Sequence, residues 1–398
     1  MSLLLIITGL LAVFFVVERR LHERNLKRIP IRIHINGSRG KSSVTRLVIA
    51  GLRGGGFRVV GKTTGTEPKF IYPDGNEELF PRLNKPDIIE QTDFFKEAAR
   101  QKAEAAVLEC MAVRPDLQDT CERQIVKSTV SVITNVRADH LDVMGPRMED
   151  VARALCGTLP KRGGKCFTAE DNTDILAVIG READRRGVRV ERSFAATVTD
   201  QDMKGFSYLE HKENVALALA VTRSFGVADR EALRAMHQAA PDLGVLRTFR
   251  FGLFSKKIEF INAFAANDPN SILNIWIRMS RQFAPDQSRI ILLNTRKDRL
   301  QRSEQLAEFI ARHLECEYLF LAGDDQGVIR NHFKRFAQGK CEVVVCGKLS
   351  LPLVYRRMIR VSSAKSSIFA IGNVGGVGHA YVDFFGRAAA RKRPARHS

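Results

Sequence analysis

Lys41 and Ser42 close a short glycine-containing run, Gly37-Ser38-Arg39-Gly40-Lys41-Ser42, whose residue types suit the gripping of polyphosphate. Glycines let phosphate oxygens approach backbone N–H groups, a lysine bridges terminal phosphates, and a serine hydroxyl ligates magnesium. With Ser43 these residues form the candidate nucleotide-binding set. The spacing is two residues tighter than the common GxxxxGK[ST] loop, and the competing reading is an ordinary tight turn capped by Ser42. Farther on, Glu109 ends one apolar run, and Asp139, His140 and Asp142 follow another. Glu109 and His140 can meet one magnesium–phosphate centre from different strands. Lys41, Glu109 and His140 are therefore the candidate catalytic residues, and Ser42, Glu109 and His140 the candidate metal ligands. The plainer alternative makes Asp139 a helix cap and His140 a satisfied polar residue.

The elements that must position these groups are written in the hydrophobic pattern. Ile31, Ile33 and Ile35 alternate as in a strand, and Val44, Leu47, Val48, Gly51 and Leu52 recur at helical spacing. The glycine run is thus a strand-to-helix turn, where unpaired N–H groups and the positive end of the helix dipole attract anions. Ala105–Met111 and Thr129–Gly145 read as further strands running into polar ends. In a parallel α/β sheet, ligands bind beyond the carboxyl ends of the strands.

A chain of 398 residues with 44% hydrophobic residues has room for two or three domains with substantial cores. The net charge of +19 attracts nucleotides, polyanions, nucleic acid or anionic membrane. A nucleic-acid partner is not expected, because no recognised module interleaves aromatic and basic residues. Ser2–Val17 is almost wholly apolar and is followed by Arg19, Arg20, Arg24, Lys27 and Arg28. That asymmetry predicts an amino-terminal single-pass anchor in the cell membrane with a cytoplasmic catalytic body; a buried core helix and a cleavable signal peptide are the rivals. The seven cysteines show neither CxxC nor zinc-site spacing and read as reduced, mostly structural thiols. The basic tail Arg387–Ser398 is either a solvated end or a membrane or polymer contact.

Taken together, the short phosphate loop, Glu109 and Thr134-Asn135…Asp139-His140-Leu141-Asp142 resemble the Mur ligase superfamily of ATP-dependent amide ligases. The resemblance implies ATP and Mg2+ as cofactors, with Glu109 and His140 as magnesium residues. Glu213-Asn214-Val215 resembles that family's adenine-side HNV helix, with Glu213 in place of the histidine, so only Asn214 carries over. Arg247 resembles an arginine that reaches ATP phosphates, and Asp268 in Phe264–Ser271 a nucleotide-contacting acid. Asp298 and Arg299 follow a weaker GDRD-like turn. Where many members carry a carbamylated lysine this chain has Leu155, which implies different coordination of a second metal. The anchor and whole plan, with Thr63–Pro68 and Ile371–Tyr381, are most similar to the capsule-type poly-γ-glutamate synthases. Thr63–Pro68 reads equally as an acceptor loop or a plain turn, and Ile371–Tyr381 as a packing turn ahead of a phosphate loop.

The implied fold class is α/β, a Mur-ligase-like P-loop ATPase domain with a parallel sheet plus a smaller Rossmann-like α/β domain. The expected boundaries are an anchor at 1–29, an ATP-binding domain at 30–241, a ligase domain at 242–386 and a tail at 387–398, with ATP between the two domains. The implied activity is γ-glutamyl amide formation through an acyl phosphate, releasing ADP and phosphate. Its implied partners are glutamate, the growing poly-γ-glutamate, the membrane, export subunits and a possible second copy of the chain. A membrane-tethered NTPase that forms no amide is the competing class.

Overall fold

Alternation in β1 (Ile31–Asn36) sorts its side chains onto two faces of a sheet. Ile33 and Ile35 join Val44, Leu47, Val48 and Leu52 of helix Lys41–Gly54 in one core. His34 and Asn36 point to the other face, where they are buried among polar partners. Each fully buried aliphatic side chain contributes about 1.5–3 kcal/mol, so this face fixes where the loop between β1 and the helix lies.

The computed structural model describes residues 2–64, 68–81, 86–161, 163–206, 208, 210–240, 246–253, 255–264, 269–280, 283–284, 286–337 and 341–390. The chain divides into two compact units, Met1–Asp242 and Leu243–Ser398. In the first, β2 (Val59–Thr63), β3 (Lys69–Ile71), β4 (Glu77–Leu79), β5 (Ala105–Glu109), β6 (Val130–Ile133), β7 (Lys165–Thr168) and β8 (Arg189–Arg192) join β1. They form an eight-stranded sheet in the order β4-β3-β2-β5-β1-β6-β7-β8. All neighbours are parallel except β2–β3 and β3–β4. β1 lies between β5 and β6, so the chain leaves it toward one side of the sheet and later crosses to the other. The carboxyl ends of these central strands therefore frame a crevice of the kind in which α/β sheets bind ligands.

The second unit holds a six-stranded sheet of β9 (Arg247–Leu253), β10 (Lys256–Asn262), β11 (Ser288–Thr295), β12 (Tyr318–Gly323), β13 (Glu342–Val345) and β14 (Lys365–Gly372). Its order is β13-β12-β11-β14-β10-β9, parallel apart from the β9–β10 pair. Two apolar clusters cover the sheet, one containing Phe260, Phe320 and Phe385, the other Trp276, Phe333 and Phe369. Gly372, at the end of β14, leads through a turn into helix Val377–Ala390, the strand–glycine–helix pattern read from Ile371–Tyr381.

The expected membrane anchor is corrected. Ser2–Lys27 is one helix, but no helix among the described residues is long and apolar enough to cross a membrane. Its apolar run stops at Val17, before Glu18, Arg19 and Arg20; the run spans about 24 Å against a hydrocarbon core of about 30 Å. The end of the helix serves packing, with Leu26 in a core beside Phe94, Phe95 and Leu108 and His22 Nε2 2.8 Å from the Ile125 carbonyl. The cell-membrane location and the orientation drawn from it are withdrawn with the anchor.

Candidate active site

The glycine loop is braced from one side before any ligand arrives. Asn36 Oδ1 accepts from the Gly37 N–H at 2.9 Å, the Asn135 carbonyl from Ser38 N–H at 3.0 Å, and Asn135 Oδ1 from Arg39 N–H at 3.1 Å. Thr134 Oγ1 donates to the Arg39 carbonyl at 2.6 Å, and Ser38 Oγ accepts from the Arg137 N–H at 2.9 Å. The amides of Gly37, Ser38 and Arg39 are thus occupied. The donors left to offer an anion are those of the first helical turn, Lys41 to Ser43, which have no intrahelical acceptor. Gly40 caps that helix in the left-handed region at φ 81°, with no side-chain cap, so Ser42 is not the cap and its hydroxyl serves elsewhere.

That hydroxyl donates to Glu109 Oε2 at 2.8 Å, and the same oxygen accepts from the Thr64 N–H at 2.8 Å. β2 is held for this contact by Lys62, which is wholly buried. Its ammonium lies 3.1 Å from Gln91 Oε1, 3.2 Å from Glu90 and 4.2 Å from the centre of the Phe80 ring. Lys41 folds back over the loop, its Nζ donating to the Gly37 carbonyl at 2.6 Å.

His140 starts the short helix Leu141–Met144 with a left-handed backbone at φ 49°. A histidine in that conformation is uncommon. Its ring is about half exposed and 3.9 Å from the Asp139 carboxylate. The preceding loop is clamped by Glu170, fully buried, which accepts from Val136 N–H at 2.6 Å and pairs with Arg137 at 3.0 Å.

Gly37, Lys41, Thr64, Glu109, Asp139 and His140 line one cavity of about 320 Å³, with Met111, Val113 and Met144 as an apolar wall. The three candidate catalytic residues therefore share a single space. The donor set fits a magnesium–phosphate group. Neighbouring oxygens of an octahedral magnesium stand about 3 Å apart, close to the Ser42–Glu109 separation. Cβ atoms added at Gly37 and Gly40 would meet Thr134 Oγ1 at 2.0 Å and Asn214 Oδ1 at 2.7 Å, so the loop's close approach requires glycine. Among the described residues no group of three or more His, Cys, Asp or Glu side chains forms a metal cage. Magnesium commonly takes one or two carboxylates and fills its shell with water and phosphate.

Asn214 lies behind Gly40 and donates to Glu210 Oε1 at 2.8 Å; burial pushes the Glu210 carboxyl above the usual range. Arg247 contributes the first backbone position of β9, opposite Asn262. Asp268 lies outside the described residues, as do 65–67 of the Thr63–Pro68 loop and the tail from 391. Asp298 is held by Arg296 through two hydrogen bonds of 2.9 and 2.7 Å. Sequence reasoning missed Asn36, Thr64 and Glu170 as positioning groups. Asn36, at the very end of an apolar strand, was a visible signal; the other two act across long sequence separations.

Solved structures share this architecture. Folylpolyglutamate synthase from Thermotoga maritima superposes with a TM-score of 0.61 at 16% identity over 92% of each chain. The Mycobacterium tuberculosis folylpolyglutamate synthase complexed with ADP and AMPPCP gives 0.65 at 18% over 93% of this chain and 94% of that one. The Mur ligase middle domain family model matches residues 35–222, so the fold and the braced loop define a ligase of the Mur type. The poly-gamma-glutamate synthase CapB C-terminal domain model matches residues 248–388. The capsule biosynthesis protein CapB of Bacillus anthracis is 33% identical over 99% of this chain and 85% of its own length. PGA synthase CapB of Bacillus subtilis (strain 168) is 36% identical over 85% of this chain and 86% of its own. The chain belongs to the CapB family of poly-gamma-glutamate synthases.

Proposed function

We propose that this chain is an ATP-dependent amide ligase that builds poly-γ-glutamate through an acyl phosphate, releasing ADP and phosphate. The observation that carries the reading is the convergence of Lys41, Glu109 and His140 on one cavity at the carboxyl ends of the central strands, in a chain of this family. A γ-carboxylate oxygen attacks the terminal phosphorus of ATP and the bond to the ADP oxygen breaks. The α-amine of a second glutamate then attacks the acyl carbon, phosphate leaves, and the amine sheds a proton. Ser42, Glu109 and His140 would hold a magnesium ion, which would supply charge neutralisation at the terminal phosphates. Lys41 and the amides of Lys41–Ser43 orient the transferring group and meet the charge that grows on it. Met111, Val113 and Met144 keep the acyl phosphate away from bulk water.

The amino-terminal unit supplies the phosphate site in this reading, while Asn214, Arg247 and Asp268 enter as nucleotide contacts through the family resemblance alone. The basic surface gives the polyanionic product a track, and the reading extends to a partner that receives the polymer for export. The test is incubation of the full chain with magnesium, ATP, glutamate and hydroxylamine. A γ-glutamyl hydroxamate formed in step with ADP is expected. ADP without hydroxamate would mark an NTPase that makes no amide, and AMP would mark adenylation; either result overturns the proposal.

A further inference from the structure

Among the cysteines of the chain, two stand apart by position. Cys316 lies between helix Leu300–His313 and β12, and Cys341 directly precedes β13. β12 and β13 are parallel neighbours in the register Tyr318↔Glu342, and the Glu342 N–H reaches the Glu317 carbonyl at 2.9 Å just before them. The two thiols therefore enter adjacent strands side by side. Continued one residue back, that register sets Cys341 opposite Glu317 and diagonal to Cys316. The two sulfurs are 3.2 Å apart, both unbonded and both partly exposed. The remaining five cysteines are buried.

We propose that Cys316 and Cys341 form an oxidation site, at which a peroxide closes a disulfide that ties the edge strand β13 to β12. The edge position gives the bond a structural consequence, because β13 has a single strand neighbour in the sheet. In the first step the Cys341 sulfur attacks one peroxide oxygen and the O–O bond breaks, leaving a sulfenic acid and one water. In the second, the Cys316 sulfur attacks the sulfenic sulfur, its proton leaves with the hydroxyl, and a second water departs. Two thiols and one hydrogen peroxide thus give one disulfide and two waters.

The acid–base setting agrees with that order. The hydrogen bond from the Cys316 thiol holds Cys341 below the usual thiol range, and the same bond raises Cys316. Burial pushes Cys166 up to about 11 and Cys346 up to about 12, and raises Cys121 and Cys156 as well. Oxidation follows thiolate character and access, so Cys341 should react before any of these four.

The experiment treats the full chain with dilute hydrogen peroxide, blocks remaining thiols, and maps peptides by mass spectrometry without reductant. A peptide pair joining Cys316 to Cys341, two hydrogens lighter than the sum and released by dithiothreitol, is expected. The melting temperature should rise by roughly 5–10 °C, as a cross-link between positions 25 residues apart would give. In Cys316→Ser the same dose should leave Cys341 as a sulfenic acid that dimedone captures; Cys341→Ser, which removes the attacking thiol, gives the reciprocal control and should block both products. Cross-links between two copies of the chain, sulfinic acid at Cys341 with Cys316 untouched in the unmutated chain, or prior oxidation at a buried cysteine would each overturn the proposal.

Discussion

Among the described residues Lys41 is the only ammonium lining the cavity with Glu109 and His140, and its folded-back contact with the Gly37 carbonyl leaves it a short swing from the loop amides. In the proposed reading its role is to meet charge rather than to fill a core. Lys41→Ala is therefore expected to abolish measurable hydroxamate and polymer formation, a loss of at least about 10²-fold, while the thermal melt stays near that of the unmutated chain. Synthesis that persists would remove Lys41 from the chemistry. His34 makes a different prediction, about stability. Burial pulls its pKa down, but the Cys110 thiol and the Glu122 carboxylate outweigh burial and push it up to about 9. Glu122 Oε2 is 2.8 Å from Nδ1, and its other oxygen accepts from Ser128 N–H and Oγ. A folded-state pKa above the ordinary 6.5 means the stabilisation is complete below about pH 6.5 and is lost as pH rises toward 9. Denaturant titrations between pH 6 and 9.5 should show that decline, and Glu122→Gln should flatten it. An unchanged slope in the variant would assign the pH dependence elsewhere.

The strand–loop–helix element is set by two partners that local pattern does not reveal. β1 and helix Lys41–Gly54 were legible because Ile33 and Ile35 alternate while Val44, Leu47 and Val48 recur at helical spacing, and both sets face one core. The loop between them is shaped by Thr134 and Asn135, nearly a hundred residues away: Asn135 occupies the Ser38 and Arg39 amides that the motif alone would offer to phosphate, and Thr134 donates to the Arg39 carbonyl. Gly37 sits at φ 135° against Thr134, so Gly37→Ala must displace the loop or the threonine. The expected outcome is a destabilisation of about 1–3 kcal/mol together with at least tenfold weaker binding of a non-hydrolysable ATP analogue by calorimetry. Gly37→Ala with Thr134→Ala should regain part of the stability. Unaltered affinity in the single variant would show that the brace does not set the cradle.

The whole molecule carries 63 Lys and Arg against 44 Asp and Glu, and an excess of that size acts through the field it makes rather than through one contact. Binding of purified poly-γ-glutamate, followed by fluorescence anisotropy, should weaken at least tenfold between low and high salt, because exposed charges are screened beyond about 10 Å at 0.1 M. Salt-insensitive binding would point to a local pocket instead. By itself the sequence determined the order of elements and the α/β class and put forward Lys41, Ser42, Glu109 and His140 as the candidate set, since periodicity and short motifs depend on near neighbours along the chain. Tertiary structure alone decided that Thr64 and Ser42 share one Glu109 oxygen, that Lys62 is buried behind them and that Cys316 meets Cys341. The anchor fails on both levels: the continuous apolar length of the helix, which crossing a bilayer depends on, is too short, and the fold draws the end of the helix into packing at His22 and Leu26. Such contacts join residues tens to a hundred positions apart, and only the register of the strands brings them within bonding distance.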